Sequence, residues 1–584
     1  MTTLLQPHFA LTTHLRPGKT PTAADVLLTF RVERTGALAG PGPRLPLALS
    51  VVIDRSGSMS GKPLQQAVAA AETLVNQLDG RDEVSVVVFD DRVKTVVDPM
   101  PADRHDVIRK LLRSINPGGA TNLHGGWVEG CEHVRDHAAG DGRVIRRVLL
   151  LTDGQANVGT TDPKALAKQA AEWAKRDIST TTLGFGRDFD EDLLLKLAEA
   201  SGGNFYYIET PDDACQVFQI EGETLTSVAV QNLVITLKPA AGSGVVVKDV
   251  VNRYATRETT AGLEVSAGDV YAAEDKLVGV AIEVPPQGRG RKALPLVEVG
   301  YTYDLVTADG RTEPATGVFT VAVPVDKDAP VRDVDVVRQA ARLRVAAAKE
   351  EAVRQYDALK TKDAEAVMRD AADGLRQQQL DEEFDLAEEA AQLDYFADRF
   401  AAGGLSVPDR KTLRDQAYQG RTRSRDDLNA RGSGGGSAQS LPTTNEVGGG
   451  VEVRCVRDGG KLRVEPVSAG YEREFRVLFP RAVREPGVHY VVDGLELSAN
   501  GTFYKPTGAI KRLTKPTATH TADPDADPAD PLKLTELFAG GGEPWLPVLK
   551  PVVEAQPRAG DFIGPKRDAA VVPVRELTFQ ALKP

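Results

Sequence analysis

The chain has 584 residues, of which 41% are hydrophobic and 26% are charged, and its formal net charge at pH 7 is −12. This length exceeds what one hydrophobic core supports, and the composition is ordinary for a globular protein, so we expect several folded domains. The negative net charge argues against a protein that coats nucleic acid with its whole surface, although a single basic module stays compatible with it.

Three cysteines, Cys131, Cys215 and Cys455, lie far apart in the sequence. Their odd number and wide spacing exclude a disulfide framework and a CxxC metal site, which favours a reducing compartment. Residues 1–19 lack the basic and apolar segments of a secretion signal, and no later apolar run has the length of a membrane span. We therefore expect a cytoplasmic protein that makes no contact with a membrane.

Residues 1–44 contain two strand-like segments, at 9–13 and 26–32. Two strands cannot bury a core alone, so these segments need a sheet formed by a later part of the chain.

Between residues 45 and 227, apolar strand-like runs alternate with helical patterns. This alternation is typical of a doubly wound α/β domain, in which helices cover both faces of a mostly parallel sheet. The strands are predicted at 47–53, 84–90, 145–152, 179–185 and 204–208, with an antiparallel edge at 93–97. The helices are predicted near 63–79, 103–115, 123–138, 163–176, 190–200 and 211–227.

Residues 228–328 change to closely spaced strand-like runs separated by turns, which is typical of a β-sandwich. We expect the two N-terminal strands to complete one of its sheets. The α/β domain is then an insertion in a β-domain, an arrangement that is geometrically easy because domain termini often lie close together.

The rest of the chain divides into four parts. Residues 333–404 show apolar residues at three- and four-residue spacing and predict a helical bundle. Residues 405–450 lose this spacing and end in glycine- and serine-rich sequence, which predicts a flexible linker. Residues 451–514 regain strand-like alternation and predict a small β-rich module, whereas residues 515–584 are a Pro/Asp-rich tail with short strands.

The loop at 54–61 follows the first predicted strand of the α/β domain and carries Asp54, Ser56 and Ser58. Behind it, Pro63 stands at a tolerated position in the first turn of a helix. In open α/β sheets, ligands bind at the carboxyl ends of the parallel strands. One carboxylate and two hydroxyls at alternate positions supply hard oxygen donors, which suit Mg²⁺ or a similar cation.

Two later loops add donors of the same kind. Thr121 precedes the helix predicted near 123–138, and Asp153 follows the apolar strand at 145–152. If these segments belong to one parallel sheet, all three loops leave it on the same side. The sequence therefore predicts a divalent-cation site formed by Asp54, Ser56, Ser58, Thr121 and Asp153.

This three-part pattern resembles the metal-ion-dependent adhesion site of von Willebrand factor type A (VWA) domains, with D-x-S-x-S at 54–58, Thr121 and Asp153. The run from Val52 to Lys62, V-I-D-R-S-G-S-M-S-G-K, is similar to that of the inter-alpha-trypsin-inhibitor-like members. The resemblance covers residues 45–227 and leaves the last part of the chain without an interpretation.

The resemblance implies that Ser56, Ser58 and Thr121 bind Mg²⁺, Mn²⁺ or Ca²⁺ directly. It also implies that Asp54 and Asp153 act mainly through water. Few anionic ligands then touch the ion, which stays electrophilic and binds an Asp or Glu carboxylate of a protein partner. Our leading hypothesis is a cytoplasmic, bacterial scaffold that binds its partner through the metal. In related integrins metal binding is coupled to movement of the last helix of the domain, and the helix predicted here at 211–227 leads directly into the sandwich.

No arrangement of a nucleophile and a base emerges from the sequence, and we expect no enzymatic activity. His133 and His137 are four residues apart, but Val134 stands where a zinc protease needs a glutamate. The run from Gly57 to Pro63 has one residue too few between its glycines for a phosphate-binding loop.

Residues 451–514 support a second hypothesis, a nucleic-acid-associated scaffold in a stress or DNA-damage response. Basic residues alternate there with aromatic ones, as on surfaces that stack bases and bind phosphates. The alternative interpretation is a small β-domain whose aromatic residues form its core. The candidate nucleic-acid-binding residues are Arg473, Arg476, Arg481, Arg484, Lys511 and Arg512.

A third hypothesis is an adaptor for a MoxR-type AAA+ ATPase. In proteins that work in this way the VWA domain commonly lies near the C-terminus, unlike the segment at 45–227 here.

Overall fold

The structure, a computed structural model, describes residues 2–35, 44–136, 144–186, 188–208, 211–252, 254–272, 274–288, 293–307, 311–326, 334–378, 380, 384–423, 441, 443–458, 461–472, 475–479, 484, 487–498, 501–514, 550–551 and 577–578. The predicted linker between 424 and 440, and the predicted tail at 515–549, 552–576 and 579–584, lie outside the described residues.

The chain begins with an antiparallel hairpin of two strands, β1 (Thr2–Leu11) and β2 (Thr22–Thr35). Six strands then form one sheet, in the order β5-β4-β3-β6-β7-β8. Neighbouring strands are parallel except β4 and β5, which are antiparallel, so the predicted α/β fold and its antiparallel edge are confirmed. These strands are β3 (Leu47–Asp54), β4 (Glu83–Phe89), β5 (Val93–Pro101), β6 (Ile145–Thr152), β7 (Ile178–Phe185) and β8 (Phe205–Ile208).

Six helices accompany this sheet. They are α1 (Lys62–Val75), α2 (His105–Leu112), α3 (Leu123–Arg135), α4 (Pro163–Ala174), α5 (Glu191–Ser201) and α6 (Pro211–Thr226).

Both faces of the six-stranded sheet are buried. Along β3, Leu49, Val51 and Ile53 join the core that includes residues of α1, α2 and α6. Ala48 and Val52 join the opposite core, which includes residues of α3, α4 and α5. Because side chains alternate between the two faces of a strand, a strand that is apolar throughout must be covered on both. The polar side chains therefore gather on the loops at the strand ends.

Seven strands follow the α/β domain and form two sheets together with β1 and β2. The orders are β1-β2-β13-β10 and β11-β12-β9-β14-β15. Phe30 and Val278 of the first sheet belong to the same hydrophobic core as Ile235 and Val299 of the second. These strands are β9 (Val228–Pro239), β10 (Val246–Val250), β11 (Ala255–Thr259), β12 (Gly262–Tyr271), β13 (Lys276–Val284), β14 (Leu294–Val306) and β15 (Thr312–Val323).

Four helices come next and share one hydrophobic core, to which each contributes apolar side chains, for example Ala352, Met368, Phe396 and Leu413. They are α7 (Val334–Asp357), α8 (Thr361–Gln377), α9 (Phe384–Ala401) and α10 (Val407–Thr422).

The predicted flexible linker at 405–450 is wrong over residues 407–422, which form α10. Ser406 and Asp409 begin this helix with reciprocal side-chain and backbone hydrogen bonds, a capping box. Most of the residues that α10 buries are polar or charged. A search for regularly spaced apolar residues therefore does not detect it.

Beyond α10, eight strands form a sheet in the order β16-β23-β20-β17-β18-β19-β22-β21. They are β16 (Thr443–Thr444), β17 (Val451–Asp458), β18 (Lys461–Pro466), β19 (Arg476–Val477), β20 (His489–Val492), β21 (Gly494–Leu497), β22 (Phe503–Thr507) and β23 (Lys511–Leu513). Residues 518–584 are a separate unit, in which β24 (Lys550–Pro551) and β25 (Leu577–Thr578) pair antiparallel. In the described part of the chain, no helix has the length and apolar character needed to cross a membrane.

Candidate metal centre

Asp54 ends β3, and its side chain is buried. One carboxylate oxygen, Oδ1, accepts a hydrogen bond from the backbone N–H of Ser56 at 2.8 Å. The other, Oδ2, accepts a hydrogen bond from the hydroxyl of Thr152 at 2.5 Å. Both oxygens are therefore held in fixed directions at the end of the strand.

Ser56 and Ser58 lie at a 3-10 turn, Gly57–Met59, which leads into α1. Their Oγ atoms are 3.1 Å apart. The hydroxyl of Ser58 also donates to Oδ1 of Asp153 at 2.7 Å. The structure thus brings the hydroxyls of the first loop to the carboxylate that follows β6.

Thr121 lies just before α3, and its side chain is buried. Its N–H donates to Oδ1 of Asn157 at 2.9 Å. Its carbonyl oxygen accepts hydrogen bonds from the N–H groups of Asn157 and Val158, each at 3.2 Å. Asn157 belongs to the loop that begins with Asp153, so the position of the second loop depends on the third.

The oxygens of these loops converge beside Gly154. A Cβ atom at this position would lie 3.4 Å from Oγ1 of Thr121 and 3.7 Å from both Oδ2 of Asp54 and Oγ of Ser58. Three oxygens of the first and second loops therefore lie within 4 Å of one point beside the backbone of the third loop. A side chain at Gly154 would occupy the space between these oxygens.

A second set of contacts ties the first loop to its neighbours. Nη2 of Arg55 lies 2.8 Å from Oδ2 of Asp90, and the N–H of Gly118 donates to the carbonyl oxygen of Arg55 at 2.6 Å. A Cβ atom at Gly118 would lie 1.8 Å from Oδ2 of Asp90, so this close approach requires glycine. The N–H of Gly57 donates to the carbonyl oxygen of Gly119 at 2.9 Å. These contacts fix the loop of Ser56 and Ser58 against the loop of Thr121.

Ionising the carboxyl groups of Asp54 and Asp153 costs free energy in this buried centre. Burial raises the pKa of Asp54, although hydrogen bonds from Thr152 and Ser56 act in the opposite direction. Burial also raises the pKa of Asp153 to about 6, and the charges of Asp54 and Asp188 add to this rise. A divalent cation would remove this cost, because its charge favours the ionised carboxylates.

The donor set suits a hard cation such as Mg²⁺, which prefers oxygen ligands. Among the described residues, no group of three or more His, Cys, Asp or Glu side chains could hold a metal ion. A cation at this centre would therefore depend on the hydroxyls of Ser56, Ser58 and Thr121 together with the carboxylates. Ser58 is exposed, whereas Asp54, Ser56, Thr121 and Asp153 are buried, so the centre opens to solvent beside Ser58.

Residues 49–220 match the family model described as von Willebrand factor type A domain. This part of the chain is a VWA domain. The resemblance expected from the loops at 54–58, Thr121 and Asp153 is thereby confirmed. VWA domains are generally protein-interaction modules and are often metal-dependent.

Two curated relatives illustrate how far the similarity extends. Over 205 residues, the chain is 31% identical to uncharacterized protein sll0103 of Synechocystis sp.. This match covers 35% of this chain and 48% of that protein. Over 181 residues, the chain is 30% identical to inter-alpha-trypsin inhibitor heavy chain H4 of Homo sapiens. This match covers 30% of this chain and 19% of that protein. The chain therefore matches less than half the length of either relative.

Among solved structures, the chain is similar to von Willebrand factor type A from Catenulispora acidiphila. The TM-score is 0.49 and the sequence identity is 18%, over 66% of this chain and 90% of that chain.

The VWA domain contains three further polar residues at this centre that sequence reasoning missed. Thr152 orients Asp54, Asn157 positions Thr121, and Asp90 pairs with Arg55. Thr152 ends an otherwise apolar stretch of β6, so its hydroxyl gave a detectable signal. Asn157 and Asp90 lie in loops, where such residues are common for many reasons, and the sequence offered no comparable signal.

The candidate nucleic-acid-binding residues occupy different environments. Arg473 and Arg481 lie outside the described residues. Arg484 is buried, where its guanidinium pairs with Glu388 of α9 and donates to the carbonyl oxygen of Phe479 at 2.5 Å. The prediction that Arg484 binds nucleic acid is therefore contradicted, because its charge does not lie on an exposed basic surface.

Among the aromatic residues of this module, Phe479, Tyr490, Phe503 and Tyr504 are buried, and Tyr471 and Phe475 are half-buried. Arg476 lies on β19, whereas Lys511 and Arg512 lie on β23, and three strands separate β19 from β23 in the sheet. Buried rings cannot stack on bases, so the structure favours the interpretation in which the aromatic residues form the core.

Proposed function

We propose that the VWA domain holds a divalent cation, Mg²⁺ or a similar ion, and uses it to bind an Asp or Glu carboxylate of a protein partner. The residues that would hold the ion are Asp54, Ser56, Ser58, Thr121 and Asp153.

The convergence of oxygens beside Gly154 is the observation that carries this proposal. Oxygens of Thr121, Asp54 and Ser58 lie 3.4 to 3.7 Å from a Cβ atom built on that glycine. The pKa values of Asp54 and Asp153 support it further, because burial raises both and the charge of a bound cation would offset the cost of ionising these carboxylates.

The chemistry of the donors explains why such a centre would bind a carboxylate. Oδ2 of Asp54 already accepts a hydrogen bond from Thr152, and Oδ1 of Asp153 accepts one from Ser58, so part of each negative charge is directed to the protein. Neutral hydroxyl ligands leave a bound Mg²⁺ strongly electrophilic. We infer that an anionic oxygen of the partner completes its coordination on the exposed side, beside Ser58. This role requires no catalytic step, and we propose a binding module in place of an enzyme.

The position of the VWA domain in the chain suggests how partner binding could act on the rest of the molecule. The domain lies between β2 and β9 in sequence, and these strands contribute Phe30 and Ile235 to one core, so we propose that it is inserted in a β-sandwich. Only Ser227 separates α6 from β9. We propose that partner binding shifts α6 and that the sandwich moves with it.

The test is affinity purification of the full chain from native cells with Mg²⁺ or with EDTA. We expect Thr121→Ala and Ser58→Ala to lose the metal-dependent partner. The matched control is Ser60→Ala, because Ser60 is an exposed serine of the same loop that is not part of the centre. A partner recovered equally in EDTA, or equally by Thr121→Ala, would contradict the proposal.

A further inference from the structure

Helix α10 lies along the open edge of the VWA sheet. Strand β8 is at this edge, and within the described part of the chain it has a neighbour strand on one side alone. The side chain of Asp415 accepts from the N–H of Tyr207 at 3.2 Å, and the side chain of Gln419 donates to the carbonyl oxygen of Phe205 at 2.6 Å. The hydroxyl of Tyr418 donates to the carbonyl oxygen of Gly203 at 2.6 Å. Side chains of α10 therefore satisfy backbone groups that a further strand would otherwise use.

The first turns of α10 hold the segment between β7 and α5. Lys411 is 1% exposed, and its Nζ donates to the carbonyl oxygen of Phe189 and to Oε2 of Glu191, each at 2.5 Å. The same Nζ lies 3.6 Å from the centroid of the Phe189 ring. A buried ammonium with these three contacts fixes both the backbone and the ring of Phe189.

The Phe189 ring in turn packs against β7. A Cβ atom at Gly184 would lie 2.3 Å from two atoms of this ring, so the ring occupies the space of the missing side chain. Gly184 is the register partner of Thr152 in the adjacent parallel strand β6. Thr152 donates its hydroxyl to Asp54. A continuous series of contacts therefore runs from Lys411 through Phe189, Gly184 and Thr152 to the metal centre.

We infer that docking of the first turns of α10 on the segment of Phe189 and cation binding at the VWA centre are thermodynamically linked, with Lys411 as a positioning residue for the centre. The inference rests on the proposed metal function. When Lys411 holds Phe189 against Gly184, the end of β7 is fixed, and β7 supports the end of β6 that carries Thr152. Linkage is reciprocal, so an event that releases α10 lowers cation affinity, and a bound cation strengthens the docking of α10. The centre thereby becomes sensitive to whatever contacts α10 and the helices packed on it.

The first experiment measures Mg²⁺ affinity of the full chain by titration calorimetry. We expect Lys411→Met, which keeps the apolar stem and removes the ammonium, to weaken Mg²⁺ binding by about five-fold or more, the lower end of typical couplings between sites. Phe189→Leu should act in the same direction. The matched control is Tyr418→Phe, which removes the hydrogen bond of α10 to Gly203 and leaves the contacts of Lys411 with Phe189 and Glu191 in place.

The second experiment follows hydrogen exchange of residues 407–422 with and without Mg²⁺. In the wild-type chain we expect Mg²⁺ to slow exchange in α10, whereas in Thr121→Ala it should have no effect. This readout separates linkage from a purely structural role of Lys411, which would not respond to the cation.

These experiments distinguish a failure of the proposed metal function from a failure of the linkage. If the wild-type chain binds no Mg²⁺, the proposed metal function fails and the linkage fails with it. If wild-type and Lys411→Met chains bind Mg²⁺ equally well, or if Mg²⁺ leaves exchange in α10 unchanged, the metal function stands and the linkage is overturned.

Discussion

The candidate metal centre of the VWA domain and helix α10 both bury polar side chains, but these side chains have different kinds of partners. Around Gly154, oxygens of Thr121, Asp54 and Ser58 face a common point, and burial raises the pKa of the carboxylate of Asp54. Along α10, Lys411, Asp415 and other buried polar groups reach partners in neighbouring elements. Carboxylates that lie beside hydroxyl oxygens, and whose pKa is raised by burial, indicate a site for a cation, whereas buried groups that reach charged or backbone partners in neighbouring elements indicate an internal contact. Four experiments test this distinction.

The largest effect that we expect is a loss in the free energy of unfolding, caused by a substitution at the end of α10. Arg423 is buried and pairs with Glu274, and it also donates to Oγ1 of Thr224 at 2.9 Å. Arg423→Met leaves Glu274 without its cationic partner in a buried place and should lower the free energy of unfolding by about 3–5 kcal/mol. Urea denaturation measures this loss.

Arg31→Met is the control, because Arg31 pairs with Asp275 at 2.6 Å but is 55% exposed. It should change the free energy of unfolding by less than about 1 kcal/mol. Equal effects of the two variants would mean that the buried ion pair at the end of α10 stabilises the fold no more than an exposed one.

The next effect concerns the orientation of Asp54. Thr152→Val keeps the shape of the side chain and removes the hydroxyl that donates to Oδ2 of Asp54. Loss of a group that orients a metal ligand weakens metal affinity by about 10–100-fold, and we expect a loss in this range for Mg²⁺ by titration calorimetry. Thr182→Val is the control, since Thr182 is also a buried strand threonine but donates to the carbonyl oxygen of Leu194. A similar loss in both variants would point to general loosening of the sheet.

Acidification should weaken metal binding but should increase the stability of the metal-free fold. The pKa of Asp153 is raised to about 6 by burial, so the metal-free folded chain binds this proton more tightly than the unfolded chain does. Acidification through about pH 6 therefore stabilises the metal-free fold through this group but removes the charge that a cation needs. The increase in melting temperature caused by Mg²⁺ should be large at pH 7.5 and small at pH 5. An increase that is equal at both pH values would exclude Asp153 from the centre.

The smallest effect is expected at Tyr418, whose hydroxyl donates to the carbonyl oxygen of Gly203. Tyr418→Phe removes one neutral hydrogen bond and should lower the free energy of unfolding by about 1 kcal/mol. Mg²⁺ affinity should not change. A loss of affinity here would extend the linkage to the whole face of α10.

Much of the VWA domain was predictable from residue patterns. Apolar runs such as 148–151 lie next to polar loops, and a parallel sheet places the carboxyl ends of its strands on one side. The proximity of Asp54 and Asp153 therefore followed from the alternation of strands and helices. Thr152 and Asn157 were not predicted, because their roles depend on which hydrogen bonds form once the loops have met.

Helix α10, in contrast to the VWA sheet, was not predictable from residue patterns. Its buried residues include Asp409, Lys411, Asp415 and Arg421, which in sequence are typical of a solvated segment. They are buried because their partners, such as Glu191, Glu199 and the backbone of Tyr207, come from distant parts of the chain. Local apolar spacing carries no information about such partners.

The sequence by itself determined the strands of the VWA sheet and the loops that carry its oxygens. Apolar runs mark the buried strands, and their alternation with helical patterns marks a parallel sheet, so both features can be recognised from neighbouring residues. The tertiary structure alone decided how these oxygens are oriented, that 407–422 is a helix against β8, and that Lys411 reaches Phe189. These features depend on hydrogen bonds and ion pairs between residues far apart in sequence, and such pairs are selected by the geometry of the assembled fold.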